Sequence, residues 1–154
     1  MGLRFANHTV LLTRAITDSR DVPFAWGTHD CCLAACNLIQ VYTGQDPAIW
    51  FRGKYKSQVG AYRALKRYLN EHVGPVKRDD LLPPVVDHLC LVMGYEETTR
   101  SWLSTGDVAL VATPECSRFP TALGIIVAHR VFVAGIDRGF VPKPIEEIIH
   151  GWKV

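Results

Sequence analysis

The sequence predicts an α+β fold, with helices packed on a small antiparallel β-sheet. Three observations carry that expectation. As far as Gly94, apolar residues recur at helical spacing between capping residues and glycines. From Gly106 the pattern changes to short runs rich in Val, Ile, Leu and Phe. The connections between those runs are too short for parallel crossovers, so the strands pair antiparallel. Helices first and strands afterwards is the order expected of α+β proteins. A chain of 154 residues suits one domain with a real core. The expectation is a single domain over 1–154, with a helical part over about 8–94 and a sheet part over about 106–142.

Residues 8–20, beginning His8-Thr9-Val10-Leu11-Leu12, read as a short helix. The central segment is Pro23-Phe24-Ala25-Trp26-Gly27-Thr28-His29-Asp30-Cys31-Cys32, followed by Leu33-Ala34-Ala35-Cys36-Asn37-Leu38-Ile39. An aromatic, turn-rich run stops at Asp30, and a helical pattern begins there and ends at Gly44. Asp30 suits the N-cap, because its carboxylate can accept a hydrogen bond from an amide two or three residues on. A loop follows, Gln45 to Gly53, whose Trp50 and Phe51 are expected to pack on the core. Ser57 to His72 reads as the next helix, with Ser57 as cap and Gly74 as stop. Its buried stripe is expected at Val59, Tyr62, Ala64, Leu65, Tyr68 and Leu69. Lys54, Lys56, Arg63, Lys66 and Arg67 then fall on its solvated face. Pro84 sits at the first turn of a further helix that runs to Met93 and stops at Gly94. Strands are expected at Asp107–Ala112, Ala122–Val127 and Arg130–Ala134, and a fourth at Gly139–Val141, before Pro142. The architecture expected around the site is two or three helices on a sheet of four to five strands, with the Cys31 helix packed against the sheet.

Composition excludes several classes of function. A net charge of +2 gives no electrostatic footprint for nucleic acid. No apolar run approaches the roughly 18 to 20 residues that span a bilayer, and Met1–Asn7 lacks the apolar core of a signal peptide. Five cysteines is an odd count, and Cys31, Cys32 and Cys36 crowd one helix, where neighbours cannot all bridge each other. A reduced setting is expected, either cytoplasm or the inside of an assembly. No C-x-x-C pair is present, so Cys31, Cys32 and Cys36 with Cys90 or Cys116 are not expected to hold zinc or an iron–sulfur cluster. No metal and no cofactor is expected.

Cys31 is the candidate nucleophile. In the first turn of a helix the orphan amides and the dipole favour an anion, and the thiolate is the reactive form of the side chain. The run Pro23-Phe24-Ala25-Trp26-Gly27 then Asp30-Cys31-Cys32 resembles the P-Y-x-W-G-G … D-C-S-G signature of the NlpC-like cysteine peptidase superfamily. Gly106-Asp107-Val108-Ala109-Leu110-Val111 resembles that family's G-D-L-V-x-F strand, and Ala122-Leu123-Gly124-Ile125 lies where the family has H-V-G-I. Thr43–Pro47, Phe51–Tyr55 and Gly60–Leu65 are more specifically similar to uncharacterised phage and prophage tail-tip proteins of the same superfamily.

The resemblance covers about residue 22 to Trp152 and implies an NlpC/papain-like fold with Cys31 as nucleophile. The family's general base is the His of H-V-G-I, and Ala122 stands there. The family's signature Tyr is Phe24 here, and the polar residue that orients the base falls near Ala134 or Gly135. Among the other histidines, His29 is the second candidate, as a partner for Cys31 from the loop that feeds the helix, where a solvated ring is the ordinary expectation. His129 lies on a hairpin turn, and His8, His72, His88 and His150 have no positional claim.

Two functions follow from the resemblance. The first is a structural or assembly component of a phage tail tip that keeps the peptidase fold without its base and binds other tail-tip proteins. The second is an active thiol hydrolase cleaving cell-wall peptides. The first is favoured by the replaced base. Both place the protein in the virion tail, and in host cytoplasm during assembly. Neither involves nucleic acid or a membrane span.

Overall fold

The computed structural model describes residues 4–113 and 119–154. Cys116, weighed above as a metal ligand, lies outside the described residues.

The helices are α1 (His8–Asp18), α2 (Leu33–Thr43), α3 (Gln58–His72) and α4 (Leu82–Met93). The strands are β1 (Glu96–Thr98), β2 (Val108–Ala112), β3 (Thr121–Val127), β4 (Arg130–Ala134), β5 (Phe140–Pro144) and β6 (Ile148–Lys153). They form one six-stranded sheet in the order β1-β6-β2-β3-β4-β5, antiparallel at every pairing. The chain is therefore α+β. No helix among the described residues is long and apolar enough to cross a membrane.

Local chemistry sets the helix ends. Gly44 adopts φ 76° and closes α2, a left-handed conformation that costs an L side chain energy and glycine little. The Ser57 hydroxyl accepts the Gly60 amide at 3.0 Å and caps α3. Two expectations shift by a residue or two. The regular part of α2 begins at Leu33, two residues past Cys31. Helix α4 begins at Leu82, so that Pro83 and Pro84 both occupy its first turn, where a missing N–H costs nothing.

Larger corrections concern helix number, the sheet and one face of α3. There are four helices among the described residues, against two or three expected. Among the described residues the sheet has six strands rather than four or five, and it extends outside 106–142 through β1 and β6. Strand β5 does not stop before Pro142. It runs through Pro142 to Pro144 at the sheet's edge, where a residue with no N–H is tolerated. Val59, assigned to the buried stripe of α3, is 46% exposed. Ala64, Leu65, Tyr68 and Leu69 are buried as expected, Ala61 joins them, and Tyr62 is partly buried against the core.

One large core joins the helices to the sheet through Val108 and Leu110 of β2 and Leu123 and Ile125 of β3. Phe51 is buried in it and Trp50 packs against it. A smaller cluster, Ala109, Val111, Ala122, Ile126, Val131, Val133 and Ile148, forms a second apolar layer. Strands β2 and β3 are apolar almost throughout because alternate residues feed two different clusters. Cys31 packs against both clusters, and its carbonyl accepts the Leu123 amide at 2.8 Å. The start of α2 is thereby tied to β3.

Candidate functional site

Asp30 organises the loop that delivers Cys31. Its carboxylate accepts the amides of Cys32 (3.1 Å) and Leu33 (2.9 Å), which are two of the orphan donors at the start of α2. The same carboxylate accepts the Gly27 amide at 2.9 Å and the Tyr55 hydroxyl at 2.6 Å. Asp30 itself is buried. Burial first, and then the Asp30 charge, push the Tyr55 phenol well above its usual range, so Tyr55 stays a donor. Gly27 is required by space as well as by its φ of 91°, because a β-carbon there would lie 2.1 Å from the Tyr55 carbonyl oxygen. The Trp26-Gly27 pair and Asp30 therefore form one built turn.

The turn places Cys31 on a pocket of about 250 Å³ lined by Phe24, Trp26, Cys31, Thr113, Phe119, Ala122, Ala134 and Ile136. Its walls come from the loop before α2, the start of β3 and the end of β4. Trp26 meets Phe24 edge to face at 5.0 Å and lies 5.4 Å from Phe119. The Thr113 hydroxyl donates to the Phe119 carbonyl at 3.0 Å and is spent on the chain. Cys31 is half-buried, whereas Cys32 and Cys36 are fully buried. The hydrogen bond to Cys36, together with burial, holds the Cys32 thiol well above its ordinary pKa. Of these neighbours, Cys31 is the one presented to the pocket.

The family profile for DUF6950, a domain of unknown function, matches residues 3–154. The chain belongs to the DUF6950 family. A search of curated proteins finds no match.

In this DUF6950 chain the residues singled out by sequence fall as follows. Cys31, Ala122 and Ala134 meet at one pocket, together with Phe24. Among its described lining residues none is His, Asp, Glu, Lys or Arg. His29 is not solvated, as a loop ring was expected to be. It is 4% exposed, its Nε2 bonds the Gly139 carbonyl at 2.9 Å, and its ring meets Phe140 edge to face at 5.1 Å. A carbonyl can only accept, so Nε2 carries a proton and ties the loop to the start of β5. His129 is exposed on the β3–β4 turn.

Among the described residues no group of three or more His, Cys, Asp or Glu side chains gathers to hold a metal ion. Sequence reasoning missed the supporting partners, Tyr55 on Asp30 and Gly139 on His29, which lie 25 and 110 residues away. No local pattern marks such pairs.

Proposed function

We propose that this protein is a structural or assembly component of a phage tail tip, built on an NlpC/papain-like fold that lacks the usual catalytic base. One observation carries the reading. The resemblance puts the nucleophile at Cys31, the base at Ala122 and the orienting group near Ala134 or Gly135, and Cys31, Ala122 and Ala134 line one pocket. Thiol catalysis needs a base within hydrogen-bond reach of the sulfur, and the base position carries only the methyl group of Ala122. A fold kept while its base is lost is suited to binding other tail-tip proteins. It belongs to the virion tail, and to host cytoplasm during assembly.

The second reading is an active thiol hydrolase of cell-wall peptides. It draws support from the half-buried Cys31 at the start of a helix and from the open pocket beside it.

The test replaces Cys31 with Ser in the phage or prophage that carries the gene. The expected result is particles of unchanged tail composition and unchanged infectivity, with the protein found in the tail by mass spectrometry. Normal particles that fail to infect would favour the hydrolase. Absence of the protein from purified tails would end the tail reading.

A further inference from the structure

His72, near the end of α3, and His88, in α4, are remote in sequence, yet their ring centroids lie 5.9 Å apart with a tilt of 44°. One residue orients both. The Tyr68 carbonyl pairs with His72 Nδ1 at 2.9 Å, and the Tyr68 hydroxyl pairs with His88 Nδ1 at 2.7 Å. The Tyr68 ring also stacks on His72, at 4.3 Å and 25°. Tyr68 is 4% exposed, and it is held in place by Phe51 and Trp50 at 5.0 and 5.2 Å. The orienting residue is therefore fixed while His72 stays exposed and His88 half-buried.

The hydrogen bond to the Tyr68 carbonyl sets the tautomer of His72. A carbonyl only accepts, so His72 Nδ1 carries the proton and the neutral ring offers its lone pair at Nε2. The Tyr68 hydroxyl can accept from His88 Nδ1 in the same sense, which again leaves Nε2 as the ligating atom. An imidazole whose other nitrogen donates to a carbonyl or hydroxyl is the usual state of a metal-binding histidine.

Distance agrees with this chemistry. With metal–nitrogen bonds of about 2.0–2.1 Å, two imidazoles on one ion lie roughly 5–6 Å apart between ring centroids. No third His, Cys, Asp or Glu joins them among the described residues. Glu71, beside His72, is engaged with Arg67 at 2.9 Å.

We propose that His72 and His88 form a two-histidine site for a divalent ion of the zinc, nickel and copper class, bridging α3 and α4. Imidazole nitrogens select those ions over magnesium and calcium, which take oxygen ligands. Water completes the coordination, and the ion cross-links two helices that already pack against each other.

Calorimetric titration of the full chain with Ni²⁺ tests the site, comparing the native protein with His72→Gln, His88→Gln and Tyr68→Phe. Either histidine variant should weaken the tightest binding by about tenfold or more. Tyr68→Phe keeps both imidazoles but removes the hydroxyl that orients His88, and should weaken binding by on the order of tenfold. Thermal melts without metal establish that each variant folds. With Ni²⁺ the native midpoint should rise and that of the double His72→Gln, His88→Gln variant should not. Equal affinity in native and single-histidine variants would overturn the site. So would binding that survives both histidine changes and is lost in Cys31→Ser.

Discussion

At the scale of single residues, Cys31 and Ala122 line one small pocket. Ala122 is buried on the wall that Cys31 faces, with empty volume beside it. An imidazole introduced there has room and brings a proton acceptor into the same small space as the sulfur. Ala122→His is therefore expected to raise the alkylation rate of Cys31 by iodoacetamide at pH 7, by roughly tenfold, through a larger thiolate fraction. Peptide mass spectrometry across a pH series reads the effect directly. An unchanged pH profile would mean that β3 does not aim position 122 at the thiol. The same residues show what is legible locally. Asp30 is expected at the N-cap; its carboxylate does accept the amides of Cys32 and Leu33, but the N-cap position itself falls two residues later, on Cys32. The burial of His29 did not follow, because its partner is a backbone carbonyl on a distant turn and a carbonyl carries no sequence signature.

At the scale of elements, the loop between α2 and α3 is held by one polar cluster. The Arg52 guanidinium spans both Asp46 oxygens at 3.0 Å and also reaches Asn37 on α2. Asn37 in turn donates to the Thr28 carbonyl at 2.9 Å, beside the Cys31 turn. Burial is the largest single effect and raises the Asp46 pKa, but the Arg52 hydrogen bond, the Ala48 amide and the Arg52 charge together outweigh it, and the carboxyl titrates below its ordinary 3.8. A lowered folded pKa means stability that is fully present above the unfolded value and lost as pH falls through the folded one. The gap in melting temperature between native protein and Asp46→Asn should be constant above about pH 5 and should shrink toward pH 2. A gap that persists undiminished at the acid end would assign the contribution to packing rather than charge. Strands differ in how plainly they can be read. The apolar runs of β2, β3 and β4 announce themselves because their side chains enter a core. Strand β1 is Glu-Glu-Thr and buries no side chain. Strand β6 breaks its alternation at His150 and Gly151 and pairs with β2 across a register shift at Leu110/Val111. An irregular partner hides the period-two signal on which strand recognition depends.

At the scale of the whole molecule, Asp107 joins segments from three regions of the chain. Its side chain is fully buried. It pairs with Arg4 and, at 2.7 Å, with Lys153. It also accepts the Ser104 amide at 2.8 Å and the Val154 amide at 3.3 Å. Arg4 extends the network to the carbonyls of Thr105 and Val154 at 2.8 and 3.0 Å. Residues before α1, the start of β2 and the end of β6 thus meet on one carboxylate. A buried acid with this many donors cannot be removed without stranding a guanidinium and several amides. Asp107→Ala is expected to cost on the order of 3 kcal/mol. That is the lower part of the range for breaking a buried pair, because Lys153 is 41% exposed and recovers solvent. Asp107→Asn should recover only part of the loss, since an amide keeps one acceptor oxygen and loses the charge. Urea denaturation of the three proteins measures both differences, and the slope with denaturant checks that the unfolded states are comparable. A loss below about 1 kcal/mol for Asp107→Ala would place this network among surface ion pairs. The N-terminal segment would then be held by apolar contacts and by the Phe5 amide, which donates to the Tyr42 carbonyl of α2 at 2.9 Å, while the Tyr42 hydroxyl ties α2 to the Gly106 carbonyl at 2.7 Å.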